Sequence, residues 1–234
     1  MNDPPNSITA LTNNRAWPAV HRARDWSIIP ASTANDAIGL RLPGWLIKRL
    51  LMSTRTEATI EDLYHVDEDG KAEIVNGELV LMSPTGDLPS SAAGEIYVSL
   101  HRYARNSKSG RAYTDIAAFI VNLPNRKSFS PDAAFYIGPR FGGKFLEGAP
   151  VFAVEVRSAG DFGRRTELNM ATKRADYFAA GTLVVWDVDV LRDEVINRYT
   201  SDDPNNPKTF HRSQLADAEP ALPGWSMPVD DLFE

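Results

Sequence analysis

The chain has 234 residues, 43% of them hydrophobic and 24% charged, with a net charge of -6 and no cysteine. That balance is ordinary for a globular protein. It excludes disulfides and cysteine-built zinc sites, and no uncharged apolar run of about 18 residues offers a transmembrane helix. The charge is unevenly spread. Residues 1–55 hold seven Lys/Arg and three acids, leaving 18 and 28, a net of -10, for the rest. An acidic body opposes extensive nonspecific binding to phosphates, although four Lys/Arg without an acid between His101 and Arg111, and the pairs Arg164-Arg165 and Lys173-Arg174, form local basic clusters. The simplest reading of such clusters is a solvated helix face. The four histidines (His21, His65, His101, His211) are scattered and do not suggest a metal site. Residues 1–7 are polar and lack the apolar core of a signal peptide, so a cytoplasmic location is expected.

Residues 1–55 read as an irregular or disordered extension, with an amphipathic piece at 45–52 and an alternative start at Met52. The patterned domain spans 56–234. Thr59 is placed to cap a short helix over residues 60–64, whose Glu61 and Asp62 suit the positive end of the helix dipole. Apolar runs on either side of Asn76-Gly77 predict a tight hairpin, because both turn residues need positive φ. In that hairpin Val75 faces Glu78 and Glu73 faces Val80, which puts Glu73 and Glu78 on one face.

Residues 92–107 repeat Ile96, Leu100 and Tyr103 at helical spacing. Strands are predicted over 113–123 and 133–137, the second entered through Ser130-Pro131-Asp132 and followed by a glycine-rich loop at 138–148. The run 151–158 has the composition of a strand buried on both faces. Side chains alternate along a strand, so Glu155 and Arg157 share a face. A helix follows over 164–180, with Gly181 at its C-cap position, and then a second buried strand over 182–188. Strand, helix and strand of this length make a βαβ-like unit. Residues 195–199 predict an antiparallel partner, a short element lies near Phe210, and the tail from 222 closes the chain irregularly. Strands outnumber helices, giving an α+β or mixed α/β fold.

Asp132 at the start of one strand and Glu155 inside the next can hold a divalent cation with oxygen ligands, leaving open positions to water. Such an ion activates water and stabilises a phosphodiester transition state. Arg157 is a nearby cation. Blander readings stand beside these: Asp132 as a turn former, Glu155 with Arg157 as a buried ion pair, and Glu73 and Glu78 as solvent-exposed.

The series Glu73-Ile74-Val75-Asn76-Gly77-Glu78-Leu79, Ser130-Pro131-Asp132, Glu155-Val156-Arg157-Ser158, Lys173 with Tyr177 and Gly181, Val185-Trp186-Asp187-Val188 and Leu222-Pro223-Gly224-Trp225 resembles the Uma-two family of restriction endonucleases, within the PD-(D/E)XK nuclease superfamily. The resemblance covers residues 60–233. It implies a restriction-endonuclease-like core, a central mixed sheet flanked by helices with an N-terminal hairpin, and an Mg²⁺-dependent (or Mn²⁺-dependent) endodeoxyribonuclease acting on DNA. Asp132 and Glu155 match its metal-binding acids, Glu73 its hairpin acid, which would serve as accessory ligand or water-orienting group, and Lys173 a lysine moved from the strand onto the following helix. A helical wheel opposes the last match: Leu168, Ala171, Ala175 and Phe178 share a face, Lys173 lies nearly opposite, and Arg157 becomes the alternative cation. Arginine can stabilise charge but not act as a base. Pro89-Ser90-Ser91-Ala92 stands where the family commonly has a histidine. The rival from another class is an inactive nuclease-fold module that binds nucleic acid or protein. No membrane partner is expected, and a homodimer is compatible with the sequence.

Overall fold

The computed structural model describes residues 57–66 and 70–234. The extension read over 1–55 lies outside the described residues. Helix α1 (Ile60–Tyr64) opens on a capping box: the Thr59 side chain accepts from the Asp62 amide, and the Asp62 carboxylate accepts from the Thr59 amide. Strands β1 (Lys71–Val75) and β2 (Glu78–Met82) form the hairpin in the expected register, Val75 facing Glu78 and Glu73 facing Val80. Asn76 (φ 51°) and Gly77 (φ 74°) supply its turn. The hairpin docks on the segment 125–128, through Asn76 N–H to the Asn125 carbonyl (2.7 Å), Lys127 N–H to the Ile74 carbonyl (2.9 Å) and Ile74 N–H to Ser128 Oγ (2.8 Å).

Helix α2 (Asp87–Ser107) begins five residues before the expected boundary. Pro89 falls in its first turn, where an N–H would have no intrahelical partner, so proline is accommodated inside the helix. The single strand expected over 113–123 is two. Strand β3 (Arg111–Thr114) and β4 (Phe119–Ile120) belong to different sheets, separated by a turn that leaves Ile116 79% exposed. A continuous β-prone run cannot by itself reveal such a change of sheet. The short strands β5 (Ser128–Phe129) and β7 (Leu146–Glu147) flank β4 and were not foreseen.

The main sheet adds β6 (Ala133–Tyr136), β8 (Phe152–Val156), β9 (Val184–Asp189), β10 (Val195–Thr200) and β11 (Lys208–Phe210), in the order β11-β10-β9-β8-β6-β3. Only β8 and β9 run parallel within it, and α3 (Arg164–Ala179) connects them. Gly181, at φ 103°, turns the chain out of that helix. The mixed α/β fold is thus the expected one.

The two sheet faces carry different sizes of side chain. Phe135, Val154 and Trp186 pack with Ile96 and Leu100 of α2 on one face, where the tail adds Leu222, Trp225 and Met227. Each such side chain contributes roughly 1.5–3 kcal/mol when fully buried. The tail is more regular than expected: β12 (Leu215–Asp217) pairs with β13 (Ser226–Pro228), and a 3-10 turn follows at Val229–Phe233. The other face presents Ala134, Ala153 and Val185, around the ring of Tyr177 from α3. Small residues there make room for a large one from the helix.

Helix α3 turns three of the four residues of its expected apolar stripe outward, and only Phe178 packs partly against the core. Leu168 is 62% exposed and Ala171 and Ala175 are also exposed, whereas Asp176 and Tyr177 are buried and Lys173 and Arg174 are half-buried. Every inward polar group has a partner of opposite charge or a hydrogen bond, described below, so the polar face can go inside.

Candidate active site

Asp132 immediately precedes β6. Its amide donates to the Val154 carbonyl (2.9 Å) and its Oδ2 accepts from the Val156 amide (2.8 Å), which ties the carboxylate to the end of β8. Oδ1 takes the Lys71 ammonium at 2.9 Å. Asp132 is therefore more than a turn former.

Glu155 lies on the α3 face of β8, by the alternation it shares with Ala153. Lys173 Nζ stands 2.8 Å from its Oε2, and the Tyr177 hydroxyl donates to Oε1 at 2.7 Å. The same ammonium is 2.9 Å from Glu73 Oε1. Glu73 is 3% exposed, not solvent-facing, and is held further by the Ser130 amide (2.9 Å, to Oε1) and the Arg126 guanidinium (to Oε2). Three of its roughly four acceptor positions are filled.

These neighbours set the ionisation. Burial, then the charges of Asp132 and Glu73, push the Glu155 carboxyl above the ordinary glutamate value, against Lys173 and Lys71. Burial pushes Glu73 the same way, but Lys173, Arg126 and the Ser130 amide overcome it and hold that carboxyl below its ordinary value. The two glutamates share one lysine and shift in opposite directions because Glu73 has a second cation where Glu155 has acids. Burial disfavours the Lys173 ammonium, yet Glu155 and Glu73 hold its pKa above the usual lysine range. It stays charged. Burial and the two glutamates raise the Tyr177 phenol, which remains a proton donor.

All of these side chains line a cleft of about 1380 Å³ between the hairpin and α3. Asp132 also lines a smaller recess of about 220 Å³ beside α2. Among the described residues no group of three or more His, Asp or Glu converges as a metal site. Two carboxylates of adjacent strands remain as donors. An all-oxygen pair suits Mg²⁺, which keeps several waters and needs one or two protein carboxylates, and Glu155 already senses the Asp132 charge. The donor set fits the ion.

The Uma2 family, described as putative restriction endonuclease, matches residues 58–230. The chain belongs to this family. No protein of curated function matches it. Among solved structures it is similar to a putative nuclease belonging to DUF820 from Anabaena variabilis ATCC 29413, at 16% identity and a TM-score of 0.60, over 75% of this chain and 97% of that one. At that identity the likeness is one of fold.

In this Uma2 chain, Lys173 reaches the acids that the wheel turned it from, and Arg157 forms no ion pair with Glu155. Arg157 instead bonds Asp187 through Nε (2.7 Å) and Nη2 (2.9 Å) and takes Glu167 of α3 as well. Arg174 joins at 3.1 Å from Asp187 Oδ2. Asp187, 1% exposed, thus holds α3 to the sheet through two arginines, and the Lys173-Arg174 pair is no solvated face. Sequence reasoning passed over Lys71 and Arg126. Lys71 shares the period-two face of Glu73 on β1 and was legible on that ground. Arg126 sits in a turn, with no pattern to mark it.

Proposed function

We propose that the protein is a metal-dependent endonuclease hydrolysing DNA phosphodiester bonds, with Asp132 and Glu155 as ligands for Mg²⁺ or Mn²⁺. The observation that carries this reading is that the Asp132 and Glu155 carboxylates, the second paired with the Lys173 ammonium, line one open cleft. Family membership supports the reaction class. When bound, the ion would lower the pKa of a coordinated water and offset charge on the phosphoryl oxygens. The chain's own groups do the rest. The Val156 amide and Lys71 fix the Asp132 carboxylate, while Tyr177 and Lys173 fix that of Glu155. Lys173, held protonated, supplies positive charge to the phosphoryl group in the transition state and does not serve as a base.

A second reading has one observation in its favour: both acids already carry a lysine partner, as in a catalytically inactive module that binds nucleic acid or protein. Titration calorimetry with Mg²⁺ and Mn²⁺, beside cleavage of plasmid DNA, separates the two. The nuclease reading expects metal binding and cleavage in the wild type, and loss of cleavage with retained fold in Asp132→Asn and Glu155→Gln. Cleavage surviving in either variant refutes the ligand assignment. Absence of both binding and cleavage in the wild type favours the module.

A further inference from the structure

We infer that Arg126 is a positioning residue of the site, setting the place of Lys173 through Glu73 and of Tyr177 through Asp176 and Phe129. The inference rests on the nuclease reading only for its kinetic arm.

Arg126 lies in the turn between β4 and β5 and is 5% exposed. Its guanidinium spans two elements, the hairpin and α3, which the Lys173–Glu73 pair also joins. On one side it donates to Oε2 of Glu73, on hairpin strand β1. On the other, Nε donates to Asp176 Oδ2 of α3 at 2.8 Å, and the Asn125 side-chain amide completes Asp176 at 2.9 Å. The guanidinium carbon also stands 4.9 Å from the ring centre of Phe129, which stacks on Tyr177 at 4.0 Å.

Each contact leads one step further to Glu155. With Oε2 held by Arg126, Glu73 turns Oε1 to Lys173, whose ammonium reaches Glu155. With Asp176 anchored, the adjacent Tyr177 keeps its ring on Phe129 and its hydroxyl on Glu155. A planar fork makes this bridge, and a single ammonium cannot reproduce its two directions. Glu73 on this account orients Lys173 and does not meet the reacting water.

The test uses the full chain with Arg126→Gln, Arg126→Lys and Glu73→Gln, at a temperature where circular dichroism shows each folded. One readout is cleavage of plasmid DNA in Mg²⁺. The other is protection of Lys173 from an amine-acylating reagent at fixed pH, read by peptide mass spectrometry against Lys208, which is 56% exposed. In both Arg126 variants kcat falls about 10–100-fold, the range for supporting partners of a metal site, with KM little changed, and Lys173 loses protection while Lys208 does not. Glu73→Gln reproduces the loss of protection. If Arg126→Gln does not fold, the lysine variant and Glu73→Gln decide. A folded Arg126 variant with Lys173 protected and kcat unchanged shows a purely structural role and overturns the inference, as does Glu73→Gln with Lys173 still protected. A wild type that cleaves nothing defeats the nuclease reading, and the labelling arm still decides this one.

Discussion

The Lys173 ammonium lies 2.8 Å from Glu155 Oε2, although the two residues come from a helix and a strand and the helix shows Leu168, Ala171 and Ala175 of its apolar stripe to solvent. The inward charge is tolerable because it is shared: Glu73 lies 2.9 Å from the same nitrogen. Arg157, at the strand position two residues after Glu155, is spent on Asp187 and Glu167. The cation that meets Glu155 and the cation that anchors α3 thus lie on different elements.

This separation predicts different losses for the two residues. Lys173→Met reduces kcat by about 10²–10³-fold, as for loss of one transition-state donor. Arg157→Ala acts first on stability, near the low end of the roughly 3–5 kcal/mol typical of breaking a buried pair, because Arg174 still faces Asp187. Parallel cleavage assays and urea melts check both. Equal kcat losses in two equally stable variants would place Arg157 in the chemistry.

The opposite shifts of Glu73 and Glu155 predict opposite pH signatures in the metal-free protein. Glu73 is held below its ordinary 4.5, so its stabilisation is present above that pH and disappears as pH falls through the folded-state value. Glu155 is held above 4.5, so its ionisation opposes folding, with a penalty that is absent in acid and grows as pH rises through 4.5 to the folded-state value. Glu73→Gln is therefore less stable than wild type by about 3–5 kcal/mol at neutral pH, a deficit that closes in acid. Glu155→Gln gains on the wild type as pH rises. Denaturant melts across that range measure both slopes, and a common sign contradicts the assignment.

Where local chemistry decided, the sequence was legible. Asn76-Gly77 fixed the hairpin register because few other residues accept both positive φ values, and the buried runs around Glu155 and Val185 announced a parallel pair with a helix between them. Where polar partners decided, it was not. A wheel assumes that apolar atoms go inward, and it failed on α3 because Lys173, Arg174 and Asp176 each had a countercharge on a distant segment. The split between β3 and β4 was hidden for a related reason. The turn at Asp115 is secured by Ser130, whose hydroxyl donates to the Asp115 carbonyl, fifteen residues away in the chain. Arg126 was invisible because its role exists only across the gap between β1 and α3.

The family match begins at residue 58, beyond the irregular, basic stretch that the sequence shows over 1–55. A chain starting at Met52 is therefore predicted to keep one cooperative melt, with a midpoint within about 4 °C of the full chain, the shift that roughly 1 kcal/mol produces at this size. Its pI falls, since the removed residues carry more base than acid. Calorimetric scans of the two chains test this. Aggregation or a much lower midpoint would mean that residues 1–51 contribute to the stability of the domain.

Tyr177 offers a last test, because its two functions separate chemically. The ring stacks on Phe129 at 4.0 Å and the hydroxyl donates to Glu155 Oε1 at 2.7 Å. Tyr177→Phe keeps the stack and removes the donor. A buried carboxylate that loses a hydrogen bond of this kind costs about 1.5–3 kcal/mol, and cleavage is predicted to fall at least about tenfold, as for other groups that orient a metal ligand. Lys173→Met removes the other group that holds the same carboxylate. Since both fix Glu155, and Lys173 also supplies charge to the phosphoryl group, their effects on kcat should add only in part: once Lys173 is gone, Glu155 is already misplaced and the loss from Tyr177→Phe is smaller. A double-mutant cycle on kcat measures this directly. Fully additive losses would mean that Lys173 acts through its charge alone and that only Tyr177 fixes Glu155.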